Sequence, residues 1–127
     1  MATIERITEY LEVDLDTETW RCSRCRHEHG SARESYKRGL VVHRRDPAEI
    51  HRPLIDPERY AFTFAPDADW CQLLEYYCPE CAVMVEVEYL PPGHPITHDI
   101  ELDLEWMKAR AAARRDGTIE TSTEDTA

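Results

Sequence analysis

Cys78-Pro-Glu-Cys81 runs directly into Ala82-Val-Met-Val-Glu-Val-Glu-Tyr-Leu90, and its counterpart lies far upstream in Trp20-Arg-Cys22-Ser-Arg-Cys25. Two thiolates separated by two residues on a tight turn can grip one metal ion, and a second such turn completes a tetrahedral shell of four. The run after the second pair alternates, with Val83, Val85, Val87 and Tyr89 on one face and Met84, Glu86 and Glu88 on the other. That is the period of a strand. It stops at Leu90-Pro-Pro-Gly-His-Pro95, because proline lacks the N–H that a ladder needs. Upstream of the first pair, Leu11, Val13 and Leu15 alternate with acidic residues, Asp16–Thr19 reads as a turn, and Trp20-Arg-Cys22 begins a return strand. Each pair therefore follows a strand and precedes an extended or turning segment.

Outward from the knuckles the pattern weakens. Residues 31–70 carry Pro47, Pro53, Pro57 and Pro66, too many for a long helix, and read as an irregular insertion with short strands at 40–43 and 60–64. Leu102, Trp106, Ala109 and Ala113 recur at helical spacing, predicting an amphipathic helix over about 99–114. Acids at its start, basic residues at its end and Gly117 as a stop suit the helix dipole and a C-cap. Thr118–Ala127 is polar and acidic, the composition of a flexible tail. The organisation expected is a zinc-binding domain over 1–115, with knuckles at 22–25 and 78–81, and a tail over 116–127.

The chain has 127 residues, one domain's worth, with a net charge of -11 and five cysteines. That charge argues against a general nucleic-acid binder and against an anionic bilayer. No export signal or membrane span is read at the sequence level, so a cytoplasmic location is expected, where disulfides are rare. The charge is unevenly spread. Nine basic residues stand against four acids between Arg21 and Arg52, leaving the remainder strongly acidic and suggesting two different contact surfaces.

For the cysteines, metal ligation outweighs the alternatives. A redox disulfide would sit at a helix start in a βαβ setting, whereas these pairs sit among strands. Iron uses the same four sulfurs as zinc and stays open at this point. His27 and His29 follow Cys25 closely and are alternative ligands, though four cysteines are already in register. Cys71, beside Trp70 and the aromatics Tyr60, Phe62 and Phe64, reads as a core residue rather than a nucleophile. His94 and His98 flank Pro95 and do not form a site. No phosphate loop, catalytic triad or zinc-hydrolase motif is present, so no catalytic or cofactor-binding residue is assigned. After Cys25 and Cys81, where knuckles often place glycine, stand Arg26-His27 and Ala82-Val83, which predicts turns less regular than a standard ribbon.

The unit from Cys78-Pro-Glu-Cys81 through the acidic valine-rich strand to Pro91-Pro-Gly-His-Pro95 and Ile96-Thr-His-Asp99 resembles the gamma, or small, subunit of acetone carboxylase and its acetophenone carboxylase relative. Trp20 with Cys22-Ser-Arg-Cys25 looks like that family's first knuckle. The resemblance is specific over about 22 residues and looser over 7–30. It implies a non-catalytic small subunit binding one Zn²⁺ within an ATP-dependent, biotin-independent ketone carboxylase. ATP and bicarbonate would be used by large subunits related to hydantoinases. The short chain leans toward the acetophenone type. A freestanding zinc-ribbon binding module is the alternative, and a tetrathiolate-iron electron carrier a third. The reading is a small β-rich α+β fold, zinc-ribbon-like, with two knuckles, a long insertion and a C-terminal helix. Cys22, Cys25, Cys78 and Cys81 are its metal ligands. Trp20, Trp70 and Trp106 would form the core or dock onto a large subunit.

Overall fold

The computed structural model describes residues 3–50, 56, 58–59, 67 and 69–117. Strands β1 (Ile4–Thr8), β2 (Leu11–Asp14), β3 (Thr19–Cys22) and β4 (Glu28–Ser31) form one antiparallel sheet in chain order. Strands β5 (Val41–Arg45), β6 (Gln72–Tyr77) and β7 (Met84–Leu90) form a second, and helix α1 (Leu104–Arg115) follows. The expected β-rich fold with a C-terminal helix is what forms.

Local chemistry explains the first hairpin. Asp14 Oδ1 accepts the backbone N–H groups of Asp16 (2.9 Å) and Thr17 (3.3 Å), turning the chain between β2 and β3. The resulting register sets Val13 opposite Trp20 and Glu12 opposite Arg21. Trp20 is fully buried, meets Tyr36 edge-on at 5.7 Å, and donates its indole N–H to the Glu34 carbonyl at 2.9 Å. Leu11, Val13 and Trp20 of the first sheet, Leu74 and Tyr76 of the second, and Leu104 and Ala111 of α1 share one core. Gly39 seats the 3-10 helix Tyr36–Gly39 against β4. A Cβ on Gly39 would lie 1.7 Å from the His29 carbonyl oxygen, so no other residue fits without moving the strand.

The insertion is more regular than expected. Its first part supplies that 3-10 helix, β5 and a second 3-10 turn at Pro47–Glu49, and β5 pairs along its length with β6. The expected strand over 60–64 and the tail over 118–127 lie outside the described residues. Strand β6, Gln72-Leu-Leu-Glu-Tyr-Tyr77, carries no alternating signal because four consecutive side chains are buried. It is the central strand of its sheet.

In β7 the alternation expected from the sequence is broken by an irregularity in the β6–β7 register: Val85 packs against the core and Glu88 meets the buried Lys37, while Met84, Val87 and Tyr89 are exposed. Lys37 Nζ donates to Glu88 Oε1 (3.1 Å) and to the Thr97 carbonyl (3.0 Å), pairs with Asp99 (3.4 Å), and lies 5.2 Å from the Tyr76 ring centroid. This buried cation straps the segment after the proline-rich turn to the core, and it makes an inward carboxylate favourable.

The helix also starts later than predicted, at Leu104, because the Asp103 carboxylate caps it by accepting the Trp106 N–H at 3.0 Å. Within the helix the inward stripe is Leu104, Met107 and Ala111, not Trp106, Ala109 and Ala113, while Leu102 packs against the core from just before the helix. Polar contacts fix that rotation: Lys108 pairs with Glu18, Arg114 with Glu5 at 3.5 Å, and Arg115 reaches Thr3 at 2.8 Å. Of the three tryptophans only Trp20 is in the core; Trp106 and Trp70 are 58% and 79% exposed.

Glu18 is the hub of the helix contacts, accepting from Arg33 at 2.6 and 3.0 Å and from Lys108. These hydrogen bonds, that of Arg33 foremost, hold its carboxyl down from 4.5 to about 2. A lowered carboxylate pKa stabilises the fold above its unfolded value and loses that effect as pH falls through the folded one. Comparing urea unfolding of the wild type with Glu18→Gln should show the largest deficit above pH 5, shrinking toward pH 2. A deficit independent of pH would remove the ionic account of helix docking.

Candidate metal centre

Both cysteine pairs occupy hairpin turns: Cys22–Cys25 joins β3 to β4, and Cys78–Cys81 joins β6 to β7. The two turns are built alike. The Cys22 N–H donates to the His27 carbonyl and the Arg26 N–H to the Cys22 carbonyl, each at 2.9 Å. The Cys78 N–H donates to the Val83 carbonyl and the Ala82 N–H to the Cys78 carbonyl, also at 2.9 Å. Arg26 (φ 69°) and Ala82 (φ 63°) take the left-handed conformation at equivalent places. The expectation of irregular turns is thus corrected. The non-glycine residues accept a strain of about 1–2 kcal/mol each, and the turn geometry is kept.

The two turns face one another across the sheets. Cys22 Sγ lies 3.8 Å from Cys81 Sγ and Cys25 Sγ 3.6 Å from Cys78 Sγ, and all four sulfurs fall within 4.8 Å of one another. A tetrahedron with metal–sulfur bonds of ~2.3 Å has sulfur–sulfur edges of ~3.8 Å. Disulfides would need ~2.05 Å, and the five cysteines are free. The four cysteines are therefore positioned to hold one metal ion, with each pair crossing to the other hairpin.

Within the metal-free cluster Cys81 is favoured as a thiolate, whereas Cys25 and Cys78 are held protonated. Burial pushes the Cys78 thiol up, whereas the backbone N–H of Val83 holds the Cys81 thiol down. For Cys25 a backbone hydrogen bond at His27 lowers the pKa, but burial and the three neighbouring thiols together outweigh it and push it up to about 12. A bound cation supplies the compensating charge, so metal uptake releases protons and weakens in acid.

Around the centre, Glu12 is a contributor that the sequence pattern did not single out. It is nearly fully buried, and its Oε1 accepts from Arg21 Nε at 2.5 Å and from an Arg26 guanidinium nitrogen at 3.0 Å. The signal was present: in the β2–β3 hairpin Glu12 stands directly opposite Arg21. Glu12 thereby braces the strained residue behind Cys25. Of the three arginines that flank the first knuckle, Arg21 and Arg26 share this carboxylate, and Arg24 is exposed with no carboxylate partner among the described residues.

The remaining candidates lie elsewhere. His27 and His29 stand with ring centroids 5.7 Å apart and are not part of the sulfur cluster; His29 is buried, which pushes its pKa down to about 4. Cys71 is half-buried behind the exposed Trp70, a correction to its reading as a core residue. His94 and His98 remain separate, His94 against the Pro95 carbonyl (2.7 Å) and His98 beside Glu101 (3.6 Å).

Set against known proteins, the sequence profile of the acetone carboxylase gamma subunit matches residues 5–112, both knuckles included. The chain belongs to the acetone carboxylase gamma subunit family. It is 54% identical over 105 residues to the acetophenone carboxylase beta subunit of Aromatoleum aromaticum, spanning 83% of this chain and 79% of that protein. It is 34% identical over 87 residues to the acetone carboxylase gamma subunit of Xanthobacter autotrophicus, spanning 68% of this chain and 48% of the longer relative. No helix among the described residues is long and apolar enough to cross a membrane.

The geometry separates two kinds of cysteine. Cys78→Ser should reduce bound metal per chain at least tenfold in elemental analysis, and Cys71→Ser should leave it unchanged. Equal metal in both variants would break the assignment of the four sulfurs.

Proposed function

We propose that this chain is the structural, zinc-binding small subunit of an ATP-dependent, biotin-independent ketone carboxylase of the acetophenone type. The observation that carries the reading is the 54% identity that spans most of a protein named as an acetophenone carboxylase subunit, against 34% and partial coverage for the acetone type. On this reading Cys22, Cys25, Cys78 and Cys81 ligate one Zn²⁺. Four protein ligands fill a tetrahedral shell and leave no open position for water or substrate, which is the pattern of a structural rather than a catalytic site. Bound zinc would cross-link the two hairpins. A centre of four thiolates and Zn²⁺ carries a formal charge of about -2, which the flanking arginines would partly offset. ATP, bicarbonate and ketone would be handled by the large subunits, related to hydantoinases, in the cytoplasm.

Co-expression with the large subunits tests this. The chain should co-purify with them as a colourless, zinc-containing complex, and omitting it should abolish acetophenone-dependent ATP hydrolysis or lower it at least tenfold. If the chain purifies alone and shifts labelled DNA or RNA in a salt-dependent way, the freestanding binding module is the better account. A coloured, iron-containing protein would favour the electron carrier.

A further inference from the structure

The two knuckles share a backbone geometry but not a support. Behind the first, the buried Glu12 carboxylate accepts from Arg21 Nε at 2.5 Å and from Arg26 at 3.0 Å, one partner on either side of the Cys22–Cys25 turn. Ser23 ties the same turn a second time. Its hydroxyl donates to the Glu9 carbonyl at 2.6 Å and its N–H to the Tyr10 carbonyl at 3.3 Å. Glu9 and Tyr10 make the turn between β1 and β2, so the first knuckle is anchored on the neighbouring hairpin. The second knuckle has no such anchor. Its turn rests on two backbone bonds, Cys78 N–H to the Val83 carbonyl and Ala82 N–H to the Cys78 carbonyl. Among the described residues, no side-chain hydrogen bond or ion pair ties residues 79–83 to the rest of the chain apart from the sulfurs themselves. Ala82 is exposed, and its methyl group has nothing to pair with.

That difference decides what each turn does without a metal ion. Arg26 and Ala82 carry the same left-handed strain, at φ 69° and 63°. Opening the first turn would draw Arg26 away from Glu12 and leave a buried carboxylate short of a partner, which is costly. Opening the second relieves the strain at Ala82 and gives up two backbone bonds at an exposed turn, where water takes their place. Resting on the four-sulfur metal reading above, we infer that Glu12 is a positioning residue that preforms Cys22 and Cys25 as a two-sulfur half-site for a thiophilic divalent cation. The Cys78–Cys81 knuckle then takes its turn only when the cation draws it onto that half-site. Preorganised ligands bind more tightly because the ordering cost is already met, and here one knuckle meets it and the other does not. The metal's structural effect is therefore concentrated at the β6–β7 turn, just beyond the Tyr77–Met84 pair that ends the ladder.

Amide hydrogen exchange of the full chain, followed by NMR with Zn²⁺ bound and after its removal by a chelator, tests this without any substitution. Metal removal should leave the protection of the Cys22 and Arg26 N–H groups within about threefold, while the Cys78 and Ala82 N–H groups lose at least about a hundredfold. Equal loss at both turns, equal retention at both, or global unfolding of the metal-free chain overturns the proposal. A wild type that binds no zinc overturns the four-sulfur reading beneath it instead. Titration with Co²⁺, read by its thiolate absorption, assigns the role to Glu12. Glu12→Gln should weaken binding about tenfold, and adding Arg26→Gly should recover most of that loss, because glycine needs no brace in left-handed backbone. Ala82→Gly, at the unbraced turn, should tighten binding roughly threefold. Unchanged affinity in Glu12→Gln contradicts the positioning role. So does a loss that Arg26→Gly fails to recover, since it would mean that Glu12 serves only the fold. The exchange measurement decides the matter if Glu12→Gln does not fold.

Discussion

Everything in this fold turns on bringing four sulfurs within 4.8 Å of one another from two hairpins more than fifty residues apart in sequence. Each hairpin is a local structure with a local turn, but neither can complete a tetrahedral shell alone. The two sheets share a modest core, and the cysteine centre adds a second point of closure at the opposite end of β3 and β6 from their other turns. A chain of this size buries only about two-thirds of the surface that its unfolded form exposes, so a metal cross-link is a physically sensible supplement to packing.

That closure imposes costs that neighbouring residues absorb. Arg26 and Ala82 sit in left-handed backbone without being glycine, and Glu12 is buried beside Arg21 and Arg26. Four crowded thiolates cannot all form without a compensating charge, which is why a cation rather than a hydrogen-bond network is the natural partner for this cluster. The buried Lys37 works in the same manner at the other polar site. Its single charge meets Glu88 and Asp99 and fixes the chain that follows the proline-rich turn.

Most of the centre was legible because metal-ligand spacing and the hairpins beneath it leave local marks. The strand at β7 announced itself by alternation, and β3 by its place after a turn. Strand β6 did not, because a central strand buried on both faces shows no alternation. The facing of β7 and the rotation of α1 were hidden for a different reason. Alternation assumes a regular ladder, and here the β6–β7 register is irregular and a single buried lysine from a basic stretch draws Glu88 inward. In α1, Leu104–Met107–Ala111 and Leu102–Trp106–Ala109–Ala113 both obey helical spacing, and the choice lay with distant partners such as Glu18 and Glu5. Glu12 and Lys37 illustrate the general limit: a charged residue's burial depends on partners that the tertiary fold supplies.

The exposed Trp70, Trp106 and Val87 acquire meaning once the chain is read as a subunit rather than a freestanding domain. The claim beneath all of this is the four-sulfur metal centre, and X-ray absorption at the zinc edge of the purified protein addresses it directly. The account predicts one zinc per chain with four sulfur scatterers at ~2.3 Å and no nitrogen or oxygen in the shell. A shell with fewer than four sulfurs, with imidazole among the ligands, or a fully folded protein containing no metal would contradict it.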